Sequence, residues 1–520
     1  MILEGRDVTR DLTEQVDVVV VGSGCGASVV GKELAAAGLS VLLLERGGYY
    51  QPSRGDFDQR EDDMLARIDG GRGLHTTRSG QIALTYGNNV GGASVHYWAD
   101  TWRTPHDRLE LWEKTYKVRG HTAEELKPWF EKIEAELNVH AATDAMMNTM
   151  NQLFEKGAKT LGMNTERVQQ ARKGCIGSGY CMQGCSYGAK QSQLVTGIPA
   201  ALARGARIFA DCEVDHILME KGRAVGVKAH FLNRATNQPS GPQLTVKSRM
   251  VIVAAGGFNS AAVLLRSRVP NPSGMLGQNL QLNPCPTSFG LFDQDVVMWR
   301  GIPAAAGVME YRLARYDDRG RYQEGGYLLH PNQLPPAMLA YLLPGYGREH
   351  RRLMDRAHQI GSCIGWIDDV GTGNISLDRY GNPSWEWRLQ GRDILQVRDL
   401  LTKQARVLLA AGASEVIIPD RYGTRIRGMD DLAKIAEVDI GPGSMLFAAP
   451  HPAGACRMGE DPHTSVVNFH HEVHTVKGLF VCDPSVFPTA VSVDPSETIM
   501  AFSYVAAGWI VNNWHRYENN

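Results

Sequence analysis

The sequence has no run of about 18 or more apolar residues, the length that a membrane-spanning helix requires. Its first 15 residues, MILEGRDVTRDLTEQ, are charged throughout and contain no apolar core of a secretion signal. The 54 lysines and arginines nearly balance the 56 aspartates and glutamates, so we expect no basic surface for nucleic acid or for an anionic membrane. A transmembrane segment and a nucleic-acid partner are therefore not expected.

Cysteines are few, and most are not paired in the sequence. Six of the nine lie singly along the chain, which is not the spacing of a secreted disulfide framework. We therefore expect a reducing, cytoplasmic location. With 43% hydrophobic and 21% charged residues, the composition is that of a globular protein, and 520 residues exceed what one compact core organises. Two domains are expected.

The first pattern with chemical meaning is VDVVVVGSGCGASVVGKELAAAGLSVLLLERGG, residues 16–48. Its β-branched run at 16–21 predicts a strand that is buried on both faces of a parallel sheet. Gly22, Gly24 and Ala27 match G-x-G-x-x-[GA], and helix-forming residues follow. Such small residues let the backbone approach a pyrophosphate, and the helix N-terminus offers free N–H donors. The pattern predicts a dinucleotide-binding βαβ unit.

An acid ends the second strand of this unit. Glu45 follows Gly22 by 23 residues, the position from which a carboxylate accepts hydrogen bonds from ribose hydroxyls. An acid there favours an unphosphorylated ribose. FAD or NAD is therefore expected rather than NADP.

Five further segments select FAD. They are GNNVGGASVHYWADTWR (87–103), VIVAAGGFNSAAVLLRS (251–267), HPAGACRMG (451–459), GLFVCDPSVFPT (478–489) and VDPSETIMAFSYVAAGWI (493–510). Together with the first glycine turn they resemble, in order, the glucose–methanol–choline (GMC) family of FAD-dependent oxidoreductases. The resemblance runs from about residue 16 to residue 511 and is loose only at about 290–440.

The resemblance implies an α/β fold with two parts. A Rossmann-like FAD-binding domain would be assembled from residues 1–110, 190–288 and 443–520. An α+β substrate domain on an antiparallel sheet would span 289–442. Residues 111–189 would form a connecting or lid segment that carries a cysteine array.

The family's cofactor contacts imply a set of binding residues here. Gly22, Gly24 and Glu45 would hold the ADP half, Val214 would meet the adenine through its backbone, and Asp483 would face the ribityl–phosphate region. Val214 is equally a strand core residue, and Asp483 is equally a cap for the turn at Pro484. The full expected set is Gly22, Gly24, Ala27, Glu45, Arg46, Gly91, Gly92, Ser94, His96, Val214, Gly256 and Asp483.

His451 occupies the position of the family histidine that lies over the flavin. Oxidation of an alcohol removes a hydroxyl proton and sends a hydride to flavin N5. Neutral imidazole is suited to take that proton, because its ordinary pKa is near the working pH. The alternative is a histidine packed at a strand end and bonded to backbone.

The second catalytic position of the family, a histidine or asparagine, is Asp494 in this chain. An anion beside His451 would favour the imidazolium, and the two groups would titrate together. The alternative is structural: Asp494 would cap the last helix, with Pro495 at its first position and Glu497 completing a capping box.

His96 aligns with a histidine that some family members bond covalently to flavin. Packing beneath the ring is the alternative that the sequence leaves open.

Three cysteines, Cys175, Cys181 and Cys185, form a C-x5-C-x3-C array with glycines between them. Three thiolates in this spacing suggest a metal or cluster, and related sugar dehydrogenases of the family bind a three-iron cluster there. The spacing is compatible with a [3Fe-4S] cluster and equally with buried free thiols.

These observations predict an FAD-dependent oxidoreductase of CH–OH groups, with a sugar or polyol as substrate. A sterol or long-chain alcohol is the alternative, because PPAMLAYLLPGYG (335–347) is an apolar loop that suits a lid. A non-redox FAD lyase of the same family is a further alternative. With a cluster, an electron-acceptor protein would be the partner.

Overall fold

A computed structural model describes residues 1–73 and 75–518. Its larger sheet has eight strands, most of them parallel. The parallel strands, in spatial order, are Ile2–Glu4, Arg207–Ala210, Val41–Leu44, Leu12–Val21 and Gln238–Val253, with Leu479–Val481 also parallel to the last. Arg223–Asn233 and Cys212–Glu220 extend Gln238–Val253 as an antiparallel arm.

The first βαβ unit folds as its residues predict. Strand Leu12–Val21 buries its valines between helices, and helix Cys25–Ala36 follows the glycine turn and packs against helix Ser496–Asn512. Gly22 has φ +106°, and a Cβ there would lie 2.3 Å from the Ala254 carbonyl oxygen. Only glycine therefore allows the turn to pass so close to the neighbouring strand.

The second sheet is antiparallel and has five strands. In order they are His330–Pro331, Ile360–Ile364, Thr287–Leu291, Glu415–Ile417 and Arg425–Ile426. Helix Arg392–Ala411 packs on this sheet and ends at Gly412, which has φ +108°. The predicted α/β fold with a second, antiparallel sheet is confirmed, whereas the segment boundaries stay a prediction.

The remaining elements connect and flank the two sheets. The other helices are Glu61–Ile68, His106–Tyr116, Ala123–Glu136, Thr149–Thr160, Gly197–Ala203, Ser260–Arg266, Pro336–Leu342 and Gly347–Met354. Short strand pairs are Ile82–Leu84 with Phe447–Ala449, Val139–Ala141 with Gln169–Ala171, Glu166–Arg167 with Ala306–Gly307, Arg315–Tyr316 with Tyr322–Glu324, and Asn374–Leu377 with Pro383–Glu386. Within residues 1–73 and 75–518, none of the helices combines the length and apolarity of a bilayer span.

Candidate active site

A cavity of about 1340 Å³ lies between the two sheets and collects most of the predicted residues. Those that line it are Gly22, Gly24, Glu45, Arg46, Gly92, Ser94, His96, Val214, Gly256, His451, Asp483 and Asp494. Ala27 and Gly91 are buried and do not line the cavity, and neither do the three clustered cysteines.

At one end of the cavity, Glu45 is buried and already bonded. Its Oε2 accepts from Ser23 Oγ at 2.6 Å, and its Oε1 accepts from the Gly47 amide at 2.8 Å. Burial raises the pKa of Glu45 to about 7, against the lowering effect of the Ser23 bond. Ser23 Oγ also accepts from the Gly91 amide at 3.1 Å. The glycine motif does not single out Ser23, which lies inside it. The Ser23 hydroxyl links both glycine turns to the carboxylate of Glu45.

The second glycine turn touches the first. Gly92 has φ +60°, and a Cβ on it would lie 2.7 Å from Gly24 Cα. Ser94 follows in the 3₁₀ turn Gly92–Val95, donates from Oγ to the Gly91 carbonyl at 2.7 Å and accepts from the Gln193 amide at 2.9 Å. Ser94 thus fixes the turn that faces the cavity.

His96 is buried at the cavity wall immediately after this turn. Its Nε2 has no hydrogen-bond partner among residues 1–73 and 75–518. Burial, and then the charge of Lys190, lower the pKa of His96 to about 3. The ring is therefore neutral, and its residue lines the cavity with Nε2 buried and unpartnered in the described chain. Both alternatives, covalent attachment and packing beneath a ring, fit this geometry.

Asp483 both caps a turn and binds a glycine turn. Its Oδ1 accepts from the Ser485 amide at 2.9 Å, and its Oδ2 accepts from the Gly256 amide at 3.0 Å and from Ser260 Oγ. Burial raises its pKa. The bond to the Ser485 amide confirms that Asp483 caps the turn, and Asp483 also lines the cavity.

Two other residues predicted to contact the cofactor, Val214 and Arg46, also line the cavity. The Val214 carbonyl accepts from Arg266 Nη2 at 3.3 Å, and Arg46 Nε lies 3.1 Å from Glu213 Oε2. Val214 is also a buried strand residue, as its alternative expected.

At the opposite end, His451 is held from both ring nitrogens. Nδ1 lies 2.9 Å from Asn283 Oδ1, and Nε2 lies 3.3 Å from Asp494 Oδ1. Asn283 Nδ2 donates to the Ile367 carbonyl at 2.5 Å, which directs its Oδ1 at the imidazole. Trp366 meets the ring edge-on at a centroid distance of 5.5 Å.

These contacts indicate which ring nitrogen of His451 carries a hydrogen. Asn283 Oδ1 is only an acceptor, so Nδ1 carries a hydrogen. A lone pair on Nε2 would then face Asp494 Oδ1, and two acceptors at 3.3 Å repel each other. A proton that arrives at Nε2 would remove this repulsion and would be held between Nε2 and Oδ1. The pair is suited to accept and return a proton.

Asp494 does not cap the last helix. That helix is Ser496–Asn512, its N-cap residue is Pro495, and no side chain bonds its first turn. Within the described chain, Asp494 Oδ2 is buried without a hydrogen-bond partner. The capping alternative for Asp494 and the capping box at Glu497 were therefore wrong, and the carboxylate is directed at His451 instead.

The cysteine array does not form a metal site. In the part of the chain that the structure describes, no three histidine, cysteine, aspartate or glutamate side chains are placed to share a metal ion. Arg172 Nη1 instead lies 3.4 Å from Cys181 Sγ and 3.9 Å from Cys175 Sγ. A guanidinium stands where a cation between the sulfurs would bind, so the [3Fe-4S] prediction is not supported by the residues, and the free-thiol alternative matches the structure.

The part of the cavity wall that includes Trp366, the neighbour of His451, is largely apolar, and Thr287 and Asn332 also line the cavity. The segment 335–347, expected as a loop, contains helix Pro336–Leu342 and the start of helix Gly347–Met354. Glu61 Oε2 accepts from the Ala337 amide at 2.9 Å and fixes the first of these helices. Apolar or aromatic side chains that line this end are Leu334, Met338, Tyr341, Leu342, Ile364, Trp366 and Leu446. Tyr341 is also 61% exposed and therefore stands at the mouth.

Comparisons with known proteins agree with the geometry. Two family models, both described as GMC oxidoreductase, match residues 17–285 and 370–503. The chain belongs to the GMC oxidoreductase family. It is therefore an FAD-dependent alcohol oxidoreductase, as the sequence predicted.

Relatives of this GMC oxidoreductase span most of its length. A GMC-type oxidoreductase of Mycobacterium tuberculosis is 30% identical over 493 residues, which cover 95% of this chain and 75% of the relative. Long-chain-alcohol oxidase FAO4B of Arabidopsis thaliana is 26% identical over 537 residues, with 98% and 70% covered.

Solved structures share the fold. Pyridoxine 4-oxidase from Mesorbium loti has a TM-score of 0.71 at 16% identity, with 96% of this chain and 99% of that one covered. A formate oxidase variant from Aspergillus oryzae has a TM-score of 0.73 at 15% identity, with 98% and 100% covered.

Proposed function

We propose that this enzyme oxidises the CH–OH group of an apolar alcohol, with His451 as the base that takes the hydroxyl proton. One observation carries the proposal: the part of the cavity wall that includes Trp366 is largely apolar, with side chains from helix Pro336–Leu342. The wall favours the long-chain or sterol alternative over the sugar or polyol first expected. Polyols would leave many hydroxyls without partners against such a wall.

The residues of the cavity fit FAD. Helix Cys25–Ala36 has no side-chain cap, so its first amides are free for a pyrophosphate, and Gly24 lies immediately before them in contact with Gly92. Ser23, Glu45 and the Gly256 turn line the same end, and the unpartnered His96 Nε2 lies further along. When bound, the isoalloxazine supplies a hydride acceptor for the carbon that carries the hydroxyl.

His451 and Asp494 would divide the proton chemistry. The neutral imidazole accepts the hydroxyl proton at Nε2, and the carboxylate 3.3 Å away stabilises the resulting imidazolium. Asn283 holds Nδ1–H and so keeps Nε2 as the reacting atom. Trp366 fixes the ring plane from the side. Asp494 is thus a positioning and charge-balancing residue as well as a neighbour of the substrate.

The names of relatives support oxygen as the electron acceptor. They include long-chain-alcohol oxidases and paromamine 6'-oxidase. Oxidases transfer electrons to oxygen, so an acceptor protein is not needed in this proposal. The expected cytoplasmic location stays a prediction.

An anaerobic alcohol series tests the substrate class. The FAD-loaded enzyme is mixed with 1-decanol, a sterol, glucose or glycerol, and bleaching of flavin absorbance is followed. We expect bleaching by the apolar alcohols at lower concentration. Bleaching by glucose or glycerol alone would refute the apolar class, and bleaching by none would favour the lyase alternative.

Two substitutions test whether the apolar wall of the cavity is the substrate-binding site. Leu342→Asp places a charge on the cavity wall and should raise the KM for decanol by at least about tenfold, since burying an unpaired charge is costly. Leu395→Asp, at a 48% exposed position on helix Arg392–Ala411, is the matched control. Equal effects of the two substitutions would exclude the wall as the substrate site.

A further inference from the structure

Two buried cations accompany the clustered cysteines. Arg172 and Lys190 are each 1% exposed. In the part of the chain that the structure describes, neither forms an ion pair with a carboxylate. Lys190 Nζ donates instead to the carbonyls of Val95 at 2.6 Å, Tyr97 at 2.9 Å and Cys181 at 2.5 Å. A buried charge without an anion is costly, so the surroundings must supply one.

Two thiols lie next to the guanidinium of Arg172. Arg172 Nη1 lies 3.4 Å from Cys181 Sγ and 3.9 Å from Cys175 Sγ, while Arg172 Nε donates to Gln170 Oε1 at 2.8 Å. Burial lowers the pKa of Arg172, and the charges of Cys181, Cys175 and Asp100 together oppose this effect, so that the pKa is raised overall. The two sulfurs therefore help to keep the guanidinium charged.

Lys190 adds to the positive field on the same sulfurs. Burial lowers the pKa of Lys190 to about 8, and the charges of Cys181 and then Cys185 oppose this. Cysteines beside cations react as thiolates with electrophiles, whereas cysteines in apolar surroundings are inert. Burial alone raises the pKa of Cys363, which belongs to the inert kind. The array thus differs from the other buried thiols in the cations, Arg172 and Lys190, that lie beside it.

We propose that Cys175 and Cys181 are an oxidation site for hydrogen peroxide and join as a disulfide. Both sulfurs contact one nitrogen of Arg172, so they share a neighbour, and they can bond to each other once the guanidinium moves from between them. Cys175 is the more exposed of the two and is the first to react.

The chemistry balances in two steps. The Cys175 thiolate attacks one peroxide oxygen, the O–O bond breaks, and sulfenic acid and hydroxide form. The Cys181 thiolate then attacks the sulfenic sulfur, an S–S bond forms, and a second hydroxide leaves. Two thiols are oxidised by two electrons in total, one peroxide is reduced, and two waters result after protonation.

The site lies beside the reaction that would make the oxidant. Met182 lines the large cavity, and Arg172 donates to the Trp98 carbonyl on the segment that follows His96. An oxidase would release peroxide into this cavity. The proposed thiol pair, however, is tested with added peroxide and so does not depend on the proposed substrate or acceptor.

The test uses resting FAD-loaded enzyme without alcohol. Protein is exposed to graded hydrogen peroxide, quenched with iodoacetamide under denaturing conditions, digested and analysed by mass spectrometry. We expect a peptide cross-linked through Cys175 and Cys181, formed at least tenfold faster than any oxidation of Cys363 or Cys456 in the same digest. Cys175→Ser should abolish the cross-link and leave Cys181 alkylated or as a dimedone-trapped sulfenic acid.

The substitutions Arg172→Lys and Arg172→Gln test whether the positive charge of Arg172 causes the fast oxidation. The lysine retains the charge and should retain fast oxidation, whereas the glutamine should slow it at least tenfold. Because Arg172→Gln risks misfolding, its fold is first checked by bound flavin. Oxidation of Cys175 and Cys181 no faster than that of Cys363 would overturn the proposal, as would sulfenic acid that never forms the cross-link in the native enzyme.

Discussion

The contact between His451 Nε2 and Asp494 Oδ1 at 3.3 Å makes Asp494→Asn the most informative substitution. At an effective dielectric constant of about 20, two unit charges at this distance attract by about 5 kcal/mol before desolvation is subtracted. An opposite charge this close generally changes a protonation equilibrium by about 1–3 pH units. The substitution removes the anion that stabilises imidazolium. Neutral imidazole should then persist to lower pH.

The assay is the rate of anaerobic flavin reduction as a function of pH. We expect the acid limb of the Asp494→Asn profile to lie about 1–3 units lower than in the wild-type enzyme. The plateau rate should fall, because the imidazolium formed on proton transfer loses its partner. Asp494→Glu, which retains the charge, should retain the limb near its wild-type position.

Folding should survive the Asp494→Asn change. The side chain makes no bond to the first turn of helix Ser496–Asn512, so no cap is lost. An asparagine Nδ2 can also donate to a lone pair on His451 Nε2. If both the limb and the plateau are unchanged in a folded variant, the carboxylate does not act on His451 and the argument fails.

His451→Ala should slow anaerobic flavin reduction by about 10²–10⁴-fold with a smaller effect on substrate binding, and a loss below about threefold would exclude His451 as the base. Glu45→Gln should flatten a pH dependence of apo-protein stability. Burial raises the pKa of Glu45 to about 7, so the contribution of Glu45 to the free energy of unfolding is complete below about pH 4 and is lost as the pH rises toward 7. Urea unfolding at several pH values measures this contribution. An equal dependence of the unfolding free energy on pH in the two proteins would contradict the prediction. We expect acid precipitation to release the flavin, as it would if His96 packs beneath the ring without a covalent bond. Colour retained by the precipitate of the wild-type enzyme but absent from that of His96→Ala would show attachment.

The glycine turns and the main sheet could be predicted because their causes are local. A β-branched run, Gly22 and Gly24, and an acid at position 45 are all read from one short segment. The close approach of Gly92 to Gly24 is the tertiary consequence of the same small residues. For these elements, local preference and global packing agree.

The partners of His451 could not be predicted in the same way. Asn283 and Trp366 come from segments that are 168 and 85 residues away in sequence and belong to no local motif. Asp494-Pro495 matches a helix start, but the helix begins one residue later and the carboxylate takes a tertiary partner instead. Cysteine spacing likewise could not reveal that Arg172 would stand between the sulfurs.

The replacement of the family's histidine or asparagine by Asp494 also changes the charge of the whole site, and Asp100 shows how the fold adjusts. Asp100 is buried, and its only side-chain donor in the described chain is Gln170 Nε2 at 3.3 Å. Burial, and then the negative charge of Asp494, raise the pKa of Asp100 well above its ordinary value. A second anion beside Asp494 is therefore disfavoured. One anion balances one imidazolium, so proton transfer to His451 creates an ion pair and no net unpaired charge inside the cavity.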